Sequence, residues 1–229
     1  MSKTAIITGA SSGIGKAIAR KLAEEGINVV LVARSEDKLS VIANEIKEQK
    51  LSKAMFVKTD VSVREEVEQM VEKATKEFGA IDYFVNNAGV MLSAAISDGQ
   101  VEQWEKMIDV NVKGILYGTN AILPQMLERK TGHIINIASV SGFEVSKKST
   151  VYSATKFAVR AISTGLEKEL AHTGVRVTNI SPGMVDTPLT TRHHLSRKPL
   201  EATDIANAVY YAISQPAYVN VNEITVRPV

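Results

Sequence analysis

The 229-residue sequence contains no cysteine. This absence excludes disulfides, thiolate metal sites and cysteine nucleophiles, and it suits a reducing compartment. The sequence also has no run of about 18 apolar residues that would cross a bilayer. The apolar run near the amino terminus is far too short for a signal peptide. We therefore expect a soluble, cytoplasmic protein with no membrane partner.

A strong charge imbalance is also missing. The formal net charge is +2, and the 27 basic residues are spread along the chain without a basic block. This distribution argues against nucleic acid as a partner. The 4 histidines form no i,i+4 pair with a carboxylate at the spacing of a zinc hydrolase, so no metal site is expected.

Short β-branched runs alternate with longer amphipathic segments along the chain. The predicted strands are 4–8, 28–32, 54–58, 81–85, 133–138, 175–180 and 223–226. The predicted helices are 12–25, 37–50, 63–78, 101–128, 150–172 and 204–214. Pro124 is expected to kink or end the long helix that contains it.

Repeated strand–helix–strand units joined by short loops predict right-handed crossovers. The expected fold is therefore α/β, with a doubly wound parallel sheet covered by helices on both faces. Because no break in composition divides the chain, residues 1–229 are expected to form a single domain. Ligands of such a sheet bind beyond the carboxyl ends of the strands.

A glycine-rich turn follows the first predicted strand directly. Glycines permit a tight turn, and they bring backbone N–H groups close to a pyrophosphate at the start of the next helix. The alternative is a tight turn without a ligand, but the position after the first strand favours dinucleotide binding. The residues of this turn expected to bind are Gly9, Ser11, Ser12, Gly13, Ile14 and Gly15.

Tyr152 and Lys156 are four residues apart in a predicted helix, and Ser139 lies upstream at the end of a predicted strand. Residues i and i+4 lie on one helix face, so the phenol and the ammonium point into the same space. A nearby cation favours phenolate, which allows a tyrosine with an ordinary pKa of about 10 to exchange protons nearer neutral pH. Such a pair also arises by chance, so its surroundings must decide its meaning.

The ordered motifs resemble those of the short-chain dehydrogenase/reductase family over essentially the whole chain. The glycine spacing is Gly-x-x-x-Gly-x-Gly, as in that family. The other matching elements are Asn86-Asn87-Ala88-Gly89, Asn111 in Asn-Val-Lys-Gly, Ser139, Tyr152, Lys156, and Pro182-Gly183 followed by Thr187. The resemblance implies a Rossmann fold. It also implies an oxidoreductase that transfers a hydride between a nicotinamide and a small carbonyl compound or secondary alcohol.

The resemblance implies roles for four catalytic residues. Tyr152 gives a proton to the carbonyl oxygen as the hydride arrives, or removes the hydroxyl proton in the reverse direction. Ser139 hydrogen-bonds the same oxygen. Lys156 depresses the pKa of Tyr152 and holds the nicotinamide ribose hydroxyls. Asn111 kinks its helix locally and positions a water that connects Lys156 to solvent.

The residue after the second strand distinguishes the two nicotinamide dinucleotides. An acidic residue there would accept hydrogen bonds from the ribose 2′-hydroxyl of NAD, whereas arginine suits a 2′-phosphate. The sequence has Ala33 at the acidic position and Arg34 after it. This pattern predicts NADP(H) as the cofactor. The alternative is that Arg34 is a solvated loop charge.

Further cofactor contacts are implied by the resemblance. Asp60 would contact the adenine, although a helix N-cap is its alternative role. Thr187 would bind the nicotinamide carboxamide, whereas Asn86 is expected to tie neighbouring strands together. The complete set expected to bind the cofactor is Gly9, Ser11, Ser12, Gly13, Ile14, Gly15, Arg34, Asp60, Val61, Asn87, Ala88, Gly89, Tyr152, Lys156, Pro182, Gly183, Val185 and Thr187.

The resemblance implies that residues 184–200 cover the substrate, and the short length of this segment predicts a small or open pocket. Arg192 and Arg197 in this segment either reach a substrate carboxylate or face solvent. The carboxyl-terminal Val-Asn-Glu-Ile-Thr-Val-Arg-Pro resembles family members that oxidise small 3-hydroxy acids.

Small residues 154, 158, 161 and 165 form a stripe on the helix that the family commonly pairs across a subunit interface. A homodimer or homotetramer is therefore expected. Two other functions stay open: a regulator that binds NADP(H) without turnover, and an epimerase or dehydratase on the same fold.

Overall fold

The computed structural model describes residues 2–92, 95–188 and 198–229. Within these ranges the chain forms one seven-stranded sheet in the order β3-β2-β1-β4-β5-β6-β7, and every neighbouring pair is parallel. The strands are β1 (Thr4–Thr8), β2 (Asn28–Ala33), β3 (Ala54–Lys58), β4 (Tyr83–Asn86), β5 (Gly132–Ile137), β6 (Val175–Pro182) and β7 (Glu223–Val226). The predicted doubly wound α/β fold is confirmed.

Helices pack on both faces of the sheet. They are α1 (Gly13–Glu24), α2 (Glu36–Glu48), α3 (Arg64–Phe78), α4 (Val101–Ile108), α5 (Gly114–Glu128), α6 (Thr150–Glu169) and α7 (Ala202–Ser214). Successive strand side chains point to opposite faces. Ala5 and Ile7 of β1 therefore join a core with α1, α2 and α7, while Ile6 joins a second core with α3 and α5. A strand buried on both faces reads as an apolar run, as the centres of β1 (Ala-Ile-Ile) and β2 (Val-Val-Leu-Val) do.

The predicted helix over 101–128 is interrupted, but not where the sequence predicted. A π-helical turn, Asp109–Lys113, separates α4 from α5 and contains Asn111. Pro124 lies inside α5 and does not end it. The neighbouring side chains of Ile122 and Met126 are fully buried against the sheet, and this packing holds the helix despite the missing N–H of proline. The helix predicted to run to His172 ends earlier, at Glu169.

The order of the strands places a crevice beside β1. The chain moves outward from β1 to β2 and β3, and then returns to the other side of β1 with β4. The loops that follow β1 and β4 therefore leave the sheet in different directions, which opens a binding crevice at the carboxyl ends of these strands. Asn86 ends β4, and its side-chain amide donates to Asn136 of β5 at 2.9 Å, which is the strand-tying role expected for it. Among the described residues, no helix combines the length and apolar character that a membrane span requires.

Candidate active site

A cavity of about 390 Å³ lies at the carboxyl ends of the strands, at the crevice beside β1. It is lined by residues from the loops after β1, β2, β3, β4, β5 and β6, together with α6. Of the residues predicted to bind or react, these line the cavity: Gly9, Ser11, Ser12, Gly13, Ile14, Arg34, Asp60, Val61, Asn87, Ala88, Gly89, Ser139, Tyr152, Lys156, Pro182, Gly183, Val185 and Thr187. Gly15 and Asn111 lie behind this surface rather than on it.

Gly15 has a packing role in the glycine-rich turn. A Cβ on Gly15 would lie 2.3 Å from the carbonyl oxygen of Gly9 and 2.6 Å from Nδ2 of Asn87. Gly9 has a φ of +67° and Gly13 a φ of +51°, a conformation that favours glycine. The sequence predicted Gly15 as a cofactor contact, but the structure places it where the turn, α1 and the loop after β4 meet.

The start of α1 fits a pyrophosphate. The N-cap residue, Ser12, makes no side-chain capping hydrogen bond, and the first turn of α1 contains no acidic residue. The first N–H groups of the helix therefore have no side-chain cap within the described chain, and they face the cavity at the positive end of the helix dipole. An anionic diphosphate bound there would complete these donors.

Thr8 holds the two loops of the crevice together. Its hydroxyl oxygen accepts hydrogen bonds from the backbone N–H groups of Asn87 (2.9 Å) and Ala88 (3.0 Å), and donates to the carbonyl of Val85 (3.2 Å). The side chain of Asn87 donates to the carbonyl of Thr8 at 2.9 Å. The loop after β4 is therefore set against the glycine-rich turn by bonds of Thr8, a residue that the sequence analysis did not single out.

Ser139, Tyr152 and Lys156 meet on one wall of the cavity. Ser139 follows the end of β5, and the other two residues lie one turn apart on α6. The hydroxyl groups of Ser139 and Tyr152 lie near enough for Ser139 to act on the pKa of Tyr152. The Nζ atom of Lys156 is 5.9 Å from the centre of the Tyr152 ring. The arrangement can present one hydroxyl pair and one ammonium to a bound molecule.

The predicted depression of the Tyr152 pKa is wrong for this arrangement. Burial raises the pKa of Tyr152 from its ordinary value of 10.0, and the nearby Ser139 side chain only partly opposes this shift. Lys156 does not offset the effect of burial on the pKa of Tyr152. Its Nζ atom instead donates to the carbonyl oxygen of Ile137 at 2.9 Å. Tyr152 therefore holds its proton at neutral pH.

Lys156 is buried, with 6% of its surface exposed. Burial lowers the pKa of its ammonium from 10.5 to about 8, because removal from water penalises the charged form. A lysine that titrates near this pH can exist in both protonation states under physiological conditions. Lys156 can therefore both gain and release a proton in the cavity wall.

Asn111 is anchored behind the cavity by three side-chain hydrogen bonds. Its Oδ1 atom accepts from the N–H of Val90 (2.8 Å), and its Nδ2 atom donates to the carbonyl of Val90 (2.9 Å) and to the hydroxyl of Thr155 (3.1 Å). Thr155 in turn donates to the carbonyl of Tyr152 at 2.7 Å. The hydroxyl of Thr155 thus links the π-helical turn to the backbone of the helix that carries Tyr152. In the sequence, the feature that could have indicated a role for Thr155 was its position immediately before Lys156.

Arg34 and Asp60 lie at the far end of the cavity. The side chain of Arg34 is 61% exposed, and its Nη1 atom is 4.0 Å from Oδ2 of Asp60. Oδ1 of Asp60 accepts from the N–H (3.0 Å) and the hydroxyl (2.6 Å) of Ser62. Val63 is the N-cap residue of α3, so the alternative role of Asp60 as a helix cap is wrong.

The segment expected to cover the substrate is described only at its ends. Val185 and Thr187 line the cavity, and Val185 forms an isolated parallel bridge with Leu200. Residues 189–197, with Arg192 and Arg197, lie outside the described residues. Other lining residues that the sequence analysis did not single out are Ser35, Thr59, Val90, Met91, Val110, Ile137, Ala138 and Pro188.

Comparison with known proteins places this geometry in a family. A short chain dehydrogenase model matches residues 3–198. An uncharacterized oxidoreductase of Staphylococcus saprophyticus is 58% identical over 228 residues, which cover 99% of this chain and 97% of the relative. One of Staphylococcus aureus strain MRSA252 is 57% identical with the same coverage.

Solved structures extend the similarity to the whole fold. The closed form of a serine dehydrogenase complexed with NADP⁺ is 34% identical, with a TM-score of 0.90 over 97% of this chain and 94% of the other. An alcohol dehydrogenase from the archaeon Thermococcus sibiricus, complexed with 5-hydroxy-NADP, is 32% identical, with a TM-score of 0.93 over 100% and 97%. Serine dehydrogenase from Escherichia coli is 36% identical, with a TM-score of 0.86 over 97% and 96%. Because the family model covers most of the chain and the relatives align over almost all of it, this protein belongs to the short-chain dehydrogenase family of oxidoreductases, which use a nicotinamide cofactor.

Proposed function

We propose that this protein is an NADP(H)-dependent oxidoreductase that interconverts a small carbonyl compound and the corresponding secondary alcohol. The observation that carries the proposal is the meeting of Ser139, Tyr152 and Lys156 on one wall of a cavity whose other end fits a dinucleotide. A nicotinamide bound there supplies or accepts the hydride. The protein has to orient the substrate and move one proton.

Tyr152 is the proposed proton donor to the substrate oxygen. Its raised pKa keeps the phenol protonated at neutral pH, which is the form that carbonyl reduction requires. Ser139 and Tyr152 line the same cavity wall, so one substrate oxygen could meet both hydroxyl groups. Ser139 would hold that oxygen while Tyr152 protonates it.

Lys156 is the proposed source of the next proton for Tyr152. With a pKa near 8, its ammonium can release a proton and regain one from solvent at physiological pH. We also propose that it holds the nicotinamide ribose hydroxyls. Asn111 has its side chain bonded to Val90 and Thr155, so we assign it the role of fixing the π-helical turn against α6. Because its side chain is occupied, any water that Asn111 positions would be held by the backbone of this residue.

Arg34 supports the choice of NADP(H) over NAD(H). Its exposed guanidinium stands at the edge of the cavity beside Ala33, where NAD-specific folds usually have an acidic residue. The serine dehydrogenase and the Thermococcus sibiricus enzyme were each solved with an NADP-type ligand. A 2′-phosphate would meet the Arg34 guanidinium there. Position 33, which is alanine, would not present a carboxylate that repels the phosphate.

The Arg34→Ala variant is expected to raise KM for NADPH and to leave KM for NADH unchanged. A charge-assisted hydrogen bond contributes about 1.5–3 kcal/mol, which corresponds to a rise of roughly 10- to 100-fold. Steady-state kinetics with both cofactors measure the change. Arg64→Ala is the control, because Arg64 is similarly exposed on α3 and pairs with Glu68. The assignment fails if the unmodified protein uses NADH as efficiently as NADPH.

The substrate class requires a direct assay. NADPH oxidation with a panel of small carbonyl compounds, and NADP⁺ reduction with small 3-hydroxy acids, test the proposed reaction in both directions. The acids belong in the panel because the carboxyl-terminal segment resembles that of 3-hydroxy-acid dehydrogenases, and because two similar structures are serine dehydrogenases. If NADPH binds but no compound is turned over, a regulatory NADP(H)-binding protein becomes the better assignment.

We further propose that the protein is a homodimer or homotetramer in the cytoplasm. One face of α6 exposes Ala154, Phe157 and Ala161, and 41% of Phe157 is accessible. Small residues beside an exposed aromatic allow another helix to approach closely. Light scattering should give at least twice the chain mass of 24.8 kDa, and a mass equal to one chain would refute the assembly.

A further inference from the structure

The turn that follows Ser139 controls the direction of its hydroxyl group. Ser139 precedes a 3-10 turn, Val140–Gly142, and its side-chain oxygen accepts a hydrogen bond from the N–H of Ser141 at 3.1 Å. The carbonyl oxygen of Ser139 accepts from the N–H of Gly142 at 2.8 Å. A shift of the turn would therefore move the hydroxyl that faces Tyr152.

Helix α6 holds this turn at Gly142. A Cβ on Gly142 would lie 2.8 Å from the carbonyl oxygen of Lys156 and 2.8 Å from Cδ of Arg160, so only glycine lets the turn approach the helix this closely. The carbonyl of Gly142 accepts a hydrogen bond from Nη1 of Arg160 at 3.0 Å. The same guanidinium lies 3.5 Å from the centre of the Phe143 ring, which is a cation–π contact. Arg160 thus contacts the backbone of the turn at Gly142 and the side chain of Phe143, the residue that follows it.

Arg160 is itself fixed from the other side by Glu223, the first residue of β7. The carboxylate accepts from Nε (3.0 Å) and Nη2 (3.3 Å) of the guanidinium, which is the two-point geometry that best orients an arginine. Oε1 of Glu223 also accepts from Nδ2 of Asn179 (3.1 Å) and from the hydroxyl of Ser181 (3.5 Å) on β6. Asn179 and Ser181 are buried, so the carboxylate is set by the sheet itself.

We propose that Glu223 is a positioning residue that acts through Arg160 to hold the Ser139 turn in its reactive place. The link runs from β6 and β7 to the carboxylate, from there to the guanidinium, and from there to the carbonyl of Gly142. The effect on the reaction rests on the function proposed above, whereas the effect on the turn does not.

The expected sizes of the effects on kcat and on stability distinguish this positioning role from ordinary stabilisation of the fold. The side chains of Arg160 and Glu223 are 28% and 37% exposed, so water screens the pair and limits its contribution to the free energy of unfolding. A misplacement of about 1 Å in a reacting group can lower turnover by about 10²-fold. Loss of the pair should therefore affect kcat far more than it affects stability.

The test uses Arg160→Met, Glu223→Gln and the double variant. We expect kcat to fall roughly 10- to 100-fold in Arg160→Met, with KM for NADPH changed less than about twofold. Glu223→Gln should give a smaller fall, and the double variant should be no slower than Arg160→Met, because Glu223 acts through Arg160. Arg160→Lys keeps a donor for Gly142 and should recover part of the loss. Arg64→Met, which breaks an exposed pair on α3, is the matched control.

Hydrogen exchange gives a readout that needs no turnover. The backbone amides of residues 141–144 should exchange faster in Arg160→Met and in Glu223→Gln than in the unmodified protein, and at the same rate in Arg64→Met. Unchanged exchange would overturn the proposal. So would faster exchange with unchanged kcat, or losses in the two single variants that multiply in the double variant. If the unmodified protein turns over no substrate, the proposed function fails, and the exchange rates still decide whether Glu223 and Arg160 hold the turn.

Discussion

The Tyr152→Phe variant is expected to lose about 10²- to 10⁴-fold in kcat, the usual contribution of a positioned proton donor, while it binds NADPH nearly as well as the unmodified protein. The substitution removes one oxygen atom and leaves the ring that packs in the cavity wall. Because burial keeps Tyr152 protonated, this hydroxyl is the proton source that reduction would lose. Steady-state kinetics measure kcat, and a fluorescence titration measures NADPH binding.

Tyr211→Phe provides the control for this comparison. Tyr211 is 56% exposed on α7, so removal of its hydroxyl should leave both measurements unchanged. If Tyr152→Phe turned over substrate at a rate near that of the unmodified protein, the proposed proton transfer would be refuted. If it instead lost NADPH binding in proportion to kcat, Tyr152 would be a binding residue and not a proton donor.

Lys156→Met should remove turnover and change how stability depends on pH. The ammonium is proposed to resupply Tyr152 and to hold the ribose, so we expect kcat to fall by at least about 10²-fold. The same substitution is expected to raise the free energy of unfolding at neutral pH. At neutral pH the folded state contains a charged ammonium that burial disfavours.

The sign of the pH effect follows from the two pKa values of Lys156. Its pKa is about 8 in the folded state and near 10.5 when the chain is unfolded, so the unfolded state binds more protons between these values. The free energy of unfolding of the unmodified protein should therefore rise with pH across this window, relative to Lys156→Met. The difference of 2.5 pH units between 10.5 and 8 corresponds to about 3 kcal/mol.

Urea denaturation of both proteins at pH 7 and pH 10 tests this dependence. The other titrating groups are shared, so the difference between the two proteins isolates Lys156. Parallel pH profiles would show that Lys156 is not a buried ammonium with a lowered pKa. We expect Lys156→Met to have a lower kcat and to lack the rise in the free energy of unfolding at alkaline pH. Together these two results distinguish a buried functional lysine from one that serves packing alone.

Spacing along the chain predicted that Ser139, Tyr152 and Lys156 would meet, and they line one wall of the cavity. Tyr152 and Lys156 lie one helical turn apart, so any helix through them brings the side chains to one face. Ser139 and the glycine-rich turn each follow a strand, and the carboxyl ends of parallel strands share one edge of the sheet. These rules need only local geometry and the direction of the strands, which is why the sequence was enough.

The interruption of the helix after Ile108 shows where local rules stop. Proline was the visible breaker, yet packing of Ile122 and Met126 against the sheet carries the helix through Pro124. The π-helical turn instead lies at Asn111, whose partners Val90 and Thr155 are far away in the chain. A preference of one residue is weak beside burial and hydrogen bonds supplied by other elements.

By itself the sequence determined the fold, the family resemblance and most of the predicted residues that line the cavity, because these depend on periodicity and on motifs at strand ends. Only the tertiary structure decided the protonation of the site and the support behind it. The direction of the Tyr152 pKa depends on burial and on where Lys156 points. The contact of Glu223 with Arg160 depends on the pairing of β7 with β6, which places Glu223 opposite Asn179. Burial and strand register arise from contacts between distant residues, and the order of residues along the chain does not display them.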